Sequence, residues 1–258
     1  MYSTVENKFP VLMNTELEDF KPAILVNAIN ESGLGDASKH LYFVLLSTAL
    51  KRAIKDHKLK FKLNIKGLFK KPRHSELAKN GIQYLELDDV KALKAAEVPK
   101  AKKRKARDLF LLMCLSGMPI SDAFEFSPSS HITPDGKWFS YRRTKTKNAC
   151  LIPVTDDARE IIDRYKDEWP LGDSIGTTRN FWNHCQWMGE IVGKKISAHT
   201  ARRTAGCLFL TWGFSLESTS HFLGHSDVRQ TASAYATVTQ GKIEKEMLAM
   251  PVGTMSLK

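Results

Sequence analysis

Between His131 and Pro153 the periodicity of the chain changes. His131-Ile-Thr, Trp138-Phe-Ser-Tyr141-Arg and Cys150-Leu-Ile-Pro153 have the pattern of three short strands, and Pro134-Asp-Gly136 makes a turn between the first two. Nearly everything else carries helical spacing. Leu17, Phe20, Ala23, Ile24, Val26 and Ile29 predict a helix from Asn14 that ends at Ser32-Gly33, after a loose leader over residues 1 to 12. A second helix restarts at Asp36 with Leu41, Val44, Leu45, Ala49, Leu50 and Ile54 as its apolar stripe, and a short third covers part of 59 to 69. Residues 71 to 82 read as a linker broken by Pro72, Asn80 and Gly81. Beyond it come an acidic helix start at Leu85 to Asp89, an apolar helix from Arg107 interrupted at Gly117-Met-Pro119, and a helix over Asp156 to Trp169. Helices with stops at Gly213 and Gly224 follow. The expected fold is mainly α with a small three-stranded antiparallel sheet, in two domains: residues 1–78, helical, and residues 79–258, α+β.

Charge narrows the partner. The 258 residues carry a net +11, and such a field attracts polyanions, nucleic acid or an acidic membrane surface. Lys51 to Arg73 holds ten Lys/Arg against Asp56 alone, and Lys100 to Arg107 is a second basic run. Lys51, Arg52, Lys55, Lys70, Lys71, Lys102, Lys103, Arg104, Arg142, Arg143 and Arg203 are the candidate contacts to a DNA backbone. Cys114, Cys150, Cys185 and Cys207 are widely spaced without a CxxC pair, which argues against a zinc site or a disulfide framework. The start lacks a signal-peptide pattern, and the longest apolar runs are too short for a bilayer. The expectation is a cytoplasmic protein without membrane contact.

Residues 199 to 235 carry the chemistry. Breaking a phosphodiester without a metal requires charge neutralisation on the non-bridging oxygens, an in-line nucleophile, and a proton for the leaving 5′ oxygen. Arginine supplies a bidentate fork, histidine a donor or proton shuttle near neutral pH, and tyrosine a nucleophile. His199 and Arg202 stand three apart on one helix face, and Leu223-Gly224-His225 places another imidazole beyond a glycine turn. Tyr235 follows ten residues later.

His199-x-x-Arg202, Leu223-Gly224-His225 and Tyr235 resemble the second motif block of the tyrosine recombinase (phage integrase) family. Arg107-Asp-Leu-Phe with Cys114-Leu-Ser-Gly117 is similar to the first block, and Thr144-Lys145-Thr before Ile152-Pro153 to the hairpin that carries the family's lysine. The basic helical segment before residue 80 resembles the core-binding domain, so the likeness spans about 15 to 250. It implies that Arg202 and His199 clamp the scissile phosphate and that His225 assists. Lys145, chosen over nearby Lys147, would be the general acid, and Tyr235 the nucleophile of a 3′-phosphotyrosyl intermediate. No metal, ATP or other cofactor is implied. The implied partners are double-stranded DNA and further copies of the chain, as a tetramer on DNA. A C-terminal helix (Ile243, Met247, Leu248) would pack on its own domain or on a neighbouring protomer. The chain looks most like an integrase branch from mobile elements of Bacteroidetes-type bacteria, without the N-terminal arm-binding domain of larger relatives.

One departure stands out. The family's first block reads Thr-Gly-Leu-Arg, and this chain reads Ser116-Gly117-Met118-Pro119. Proline cannot donate a hydrogen bond to phosphate. Arg142, Arg143 and Arg203 are the candidate substitutes. A DNA-binding regulator without cleavage activity is the competing reading, and a topoisomerase-like enzyme a third. Trp182, Trp187 and Trp212 are expected in helix cores, and His221 packed or exposed.

Overall fold

The computed structural model describes residues 2–17, 19–58, 64, 69, 84–229, 231 and 232. The chain divides into two compact units, Met1–Gly81 and Ile82–Lys258.

In the first unit the expected loose leader is ordered helix: α1 (Tyr2–Lys8) and α2 (Pro10–Met13). Val5, Phe9 and Leu12 fall at i, i+4 and i+7, and Phe9 is buried at 1% exposure in the unit's core. The next helix, α3 (Pro22–Glu31), starts eight residues later than its apolar spacing suggests. Pro22 lacks an N–H and fixes its φ, so it fits the first helical turn and not a helix interior. Phe20, ahead of it, is buried with Leu25 and Ile29. Helix α4 (Asp36–Asp56) turns a different face inward from the one its stripe indicated. Phe43 and Ser47 are buried, with Tyr42, Leu46, Leu50 and Ile54 packed beside them, whereas Leu41, Val44 and Leu45 are exposed. Residues 41 to 50 are apolar nearly all round, so two stripes compete. The one holding the aromatic rings faces inward, with Tyr42 against Phe9 and Phe43 stacked on Phe69. The short third helix, the 71 to 82 linker and the C-terminal helix fall mostly or wholly outside the described residues.

The second unit is organised around α6 (Ala101–Ser116), whose residues from Ala106 to Ser116 are all buried. From Leu109 to Leu115 this helix is apolar all round, so that half has to be central, and the helix packs against α5 (Leu87–Ala95), α9 (Asp156–Arg164), α10 (Leu171–Ile175), α11 (Thr178–Val192) and α12 (Ala198–Thr211). The start of α5 is fixed by a capping box between Glu86 and Asp89. Asp108 is fully buried within α6. Its carboxylate is held by Arg107 at 2.7 Å, Arg164 at 2.8 Å and the Tyr165 hydroxyl at 2.7 Å. The remaining short helices are α7 (Ile120–Phe124), α8 (Pro128–His131) and α13 (Leu216–Phe222).

The sheet has two strands among the described residues, not three. β1 (Trp138–Arg142) pairs antiparallel with β2 (Ala149–Pro153), Trp138 opposite Pro153 and Arg142 opposite Ala149. The expected first strand shrinks to a single bridge between Ile132 and Phe139. Pro128 nucleates the one-turn α8 through His131, and the Asp135-Gly136 turn follows at once, leaving too few extended residues for a ladder. Phe139, Tyr141, Cys150 and Ile152 face the core, and the alternate residues face out. Two of the three tryptophans expected in helix cores are exposed, Trp182 at 56% and Trp212 at 41%. Trp187 is half-buried under the Lys103 ammonium, 4.7 Å from the ring centre. His221 is exposed. Among the described residues no helix is long and apolar enough to cross a membrane.

Candidate active site

Arg202 gathers the site. It sits on α12, whose start is fixed by a capping box between Ser197 and Thr200, and it is buried at 7% exposure. Its Nη1 donates to the Gly117 carbonyl at 2.6 Å, and its Nη2 to the Leu223 carbonyl. Both acceptors close helices. Gly117 caps α6 with φ +67°, and Leu223 caps α13. The last carbonyls of a helix have no intrahelical donor and carry partial negative charge, so a guanidinium is their natural partner.

The turn after α13 carries the next group. Gly224 has φ +59°, a conformation that suits glycine. Its carbonyl accepts from Arg143 Nη1 at 3.0 Å and Asn148 Nδ2 at 3.1 Å, both from the β1–β2 hairpin. His225 follows, with Nδ1 2.8 Å from the Thr231 hydroxyl. Burial, then the charges of Arg202, Arg143 and His199, push its pKa down to about 4. His199, on the first turn of α12, is also lowered, by partial burial and then by Arg203 and Arg202. The mutual influence of these groups places Arg202, Arg143, His199 and His225 in one electrostatic neighbourhood.

Asp122 and Cys150 complete it. Asp122 is buried on α7, and its Oδ1 accepts from the Thr144 amide at 3.1 Å, which ties the hairpin loop to the helix after Pro119. Cys150 is buried on β2, and burial raises its thiol pKa against the lowering charges of Arg202 and Arg143. Sequence reasoning passed over Asp122 as a site residue. The available signal was an acid on a helix start directly after the Gly-Met-Pro break.

The other predicted residues fall in several places. Lys145 is exposed in the hairpin loop, where Lys147 takes φ +60° and donates its amide to Arg143 O at 2.8 Å. Arg142 is exposed on the outward face of β1 and donates to Lys147 O at 3.3 Å, away from the cluster. Arg203 is half-buried beside His199. Lys102, Lys103 and Arg104 line the first turn of α6, with Arg104 donating to Val98 O. Lys51, Arg52 and Lys55 are exposed near the end of α4, and Arg52 pairs with Asp56 at 3.6 Å. Tyr235, Lys70 and Lys71 lie outside the described residues. Among the described residues no group of three or more His, Cys, Asp or Glu could hold a metal ion.

Two guanidiniums and two imidazoles gather around a pair of helix ends, a set of donors suited to an anionic oxygen group. The chain belongs to the phage integrase family, the tyrosine recombinases: that family's profile matches residues 83–242. Solved structures share the fold. XerH site-specific recombinase in a post-cleavage complex with its difH substrate superposes with a TM-score of 0.65 at 15% identity, over 90% of this chain and 73% of that one. A lambda integrase dimer bound to a core site gives 0.62 at 19%, over 100% and 89%. The Tn1549 transposon integrase in complex with a circular intermediate DNA gives 0.62 at 15%, over 96% and 93%. No curated protein matches the chain.

Proposed function

We propose that this protein cuts and rejoins double-stranded DNA at a defined site through a 3′-phosphotyrosyl intermediate. The observation that carries the proposal is Arg202 bonded to the carbonyls that end α6 and α13, with His199 one turn before it on α12 and His225 just beyond α13, each feeling its charge. Arg202 binds the scissile phosphate, and the positive field holds its charge. Tyr235 attacks phosphorus, so the tyrosyl O–P bond forms as the P–O5′ bond breaks. His199, its pKa lowered, is neutral near pH 7 and can take the phenol proton. Lys145 in the hairpin loop supplies the proton that the departing 5′ oxygen needs. His225 is neutral as well. In the tautomer that accepts the Thr231 hydroxyl at Nδ1, 2.8 Å away, the proton sits on Nε2, which would then serve as a donor to a phosphate oxygen. Rejoining reverses these steps, and the count of phosphodiester bonds is conserved, so neither ATP nor metal is called for.

Residues 1–78 act as the core-binding domain and 79–258 as the catalytic domain. The basic runs at Lys51 to Arg73 and Lys100 to Arg107 contact phosphates. The protein works as a tetramer on DNA, in the cytoplasm of a cell carrying the mobile element. The solved structures named above are bound to DNA, which supports the DNA partner. The test is covalent trapping on a library of nicked duplexes. Wild-type protein should yield an adduct at a defined sequence, and Tyr235→Phe should bind the same duplex without forming one. An adduct from the Phe variant would refute the nucleophile assignment. Pro119 favours a second reading, a regulator that binds DNA without cutting. An adduct from the wild-type protein excludes it.

A further inference from the structure

A phosphate in a pentavalent transition state carries its charge on two non-bridging oxygens, and one arginine does not surround both. Pro119, at the N-cap of α7, offers neither an N–H nor a charge to the second. The first guanidinium, Arg202, is anchored on the Leu223 carbonyl. Arg143 is anchored on the next one, that of Gly224, at 3.0 Å. Two guanidiniums are thus held on the carbonyls of successive residues directly ahead of His225.

The approach is built into the packing. A Cβ on Gly224 would come within 2.6 Å of Arg143 Cδ and 2.8 Å of Cys150 Sγ, so only glycine lets the arginine stem lie there. Arg143 Nε is buried without a hydrogen-bond partner among the described residues, an expensive state for a charged group unless a ligand completes it. Strand phase separates it from its neighbour. Phe139 and Tyr141 face inward on β1, and Arg143 continues that face, whereas Arg142 shares the outward face with Trp138 and Ser140. Arg203 lies beside His199 and is one residue off the Arg202 position on α12.

We propose that Arg143, delivered by the β1–β2 hairpin, is the second guanidinium of the phosphate clamp and takes the place left empty by Pro119. The inference rests on the recombinase reading above. It makes Arg143 a catalytic residue in direct contact with a non-bridging oxygen, its fork neutralising charge that develops as Tyr235 attacks.

The test compares two linkages at the scissile position of the trapped duplex. One is the ordinary phosphodiester. The other is a methylphosphonate, in which a methyl group replaces one charged non-bridging oxygen. Single-turnover cleavage is measured at saturating DNA for the wild type, Arg143→Ala and Arg203→Ala. On the phosphodiester, Arg143→Ala should lose on the order of 10²- to 10³-fold in rate. On the methylphosphonate the charge is already gone, so the deficit should shrink to about tenfold or less. A purely structural role for Arg143 would slow both linkages equally. If Arg143→Ala does not fold, Arg143→Lys keeps the stem over Gly224 and loses the fork, and the same comparison applies. Unimpaired phosphodiester cleavage by the Arg143 variant, or an equal deficit on both linkages, overturns the inference. Rescue confined to Arg203→Ala would give the role to Arg203 and overturn it too. If the wild type forms no adduct on any duplex, the recombinase reading itself fails, and the inference goes with it.

Discussion

The low pKa of His225 sets up a sharp test of how the site is built. An exposed imidazole titrates near 6.5, and burial together with Arg202, Arg143 and His199 takes this one to about 4. A gap of that size corresponds to about 3 kcal/mol if unscreened, and the ring's partial exposure trims it to about 1–2 kcal/mol. The folded pKa lies below the unfolded one. The contribution is therefore complete above about pH 6.5 and is lost as pH falls through 4. The direct assay is a histidine-selective NMR titration. Eight histidines are present, and the His225 resonance is assigned by its disappearance in His225→Gln. The free protein should show a midpoint near 4. Binding a duplex brings a phosphate against Arg202 and Arg143 and offsets their charge, so the midpoint should move upward. A free-state midpoint at or above 6.5 would refute the argument that burial and two guanidiniums act on this ring.

Two stability measurements probe the scaffold. Gly224→Ala should lower unfolding stability by about 1–3 kcal/mol, because its methyl collides with Arg143 and Cys150 at a left-handed φ. Gly193→Ala, with φ +64° and nothing within 4 Å, should cost only about 1 kcal/mol of backbone strain. Equal losses in denaturant melts would mean that the tight approach of the hairpin is not real. Asp108→Asn leaves the buried Arg107 charge uncompensated, and the expected loss in the same melts is about 3–5 kcal/mol. A neutral result would show that the network around α6 relaxes freely.

What the sequence disclosed followed from how far each signal reached. His199 and Arg202 are joined by helical spacing, and Leu223-Gly224-His225 by a turn that glycine makes obligatory, so local rules sufficed. The choice of Arg143 proposed above over Arg142 takes one more step, which the residues already permit. The inward phase of Phe139 and Tyr141 carries on to residue 143 and separates it from Arg142. The face of α4 was not readable in the same way, since ten nearly continuous apolar positions fit two stripes, and contact with Phe9 and Phe69 decided between them. The lost third strand turned on whether Pro128 would start a helix, which the strand pattern alone did not address. Trp182 and Trp212 show the reverse error, in which a large apolar side chain was assigned to a core that had no place for it.

The two arginines differ in what else they hold, and this affects how variants should be interpreted. Arg202 closes α6 through Gly117 O and α13 through Leu223 O, so it caps two helices. Removing it would leave buried helix-end carbonyls without donors, a cost of about 1–3 kcal/mol for each lost partner. Loss of cleavage in an Arg202 variant therefore mixes structure with chemistry. Arg143 anchors on a carbonyl that Asn148 also satisfies at 3.1 Å, so the Gly224 turn keeps a donor without it. With Pro119 at the position where the resemblance expects an arginine, this chain keeps its turn geometry because Arg202 binds the carbonyls of Gly117 and Leu223, while on the proposal above the second charge enters from the hairpin. That division of labour makes Arg143 the cleaner place to measure what the second guanidinium does.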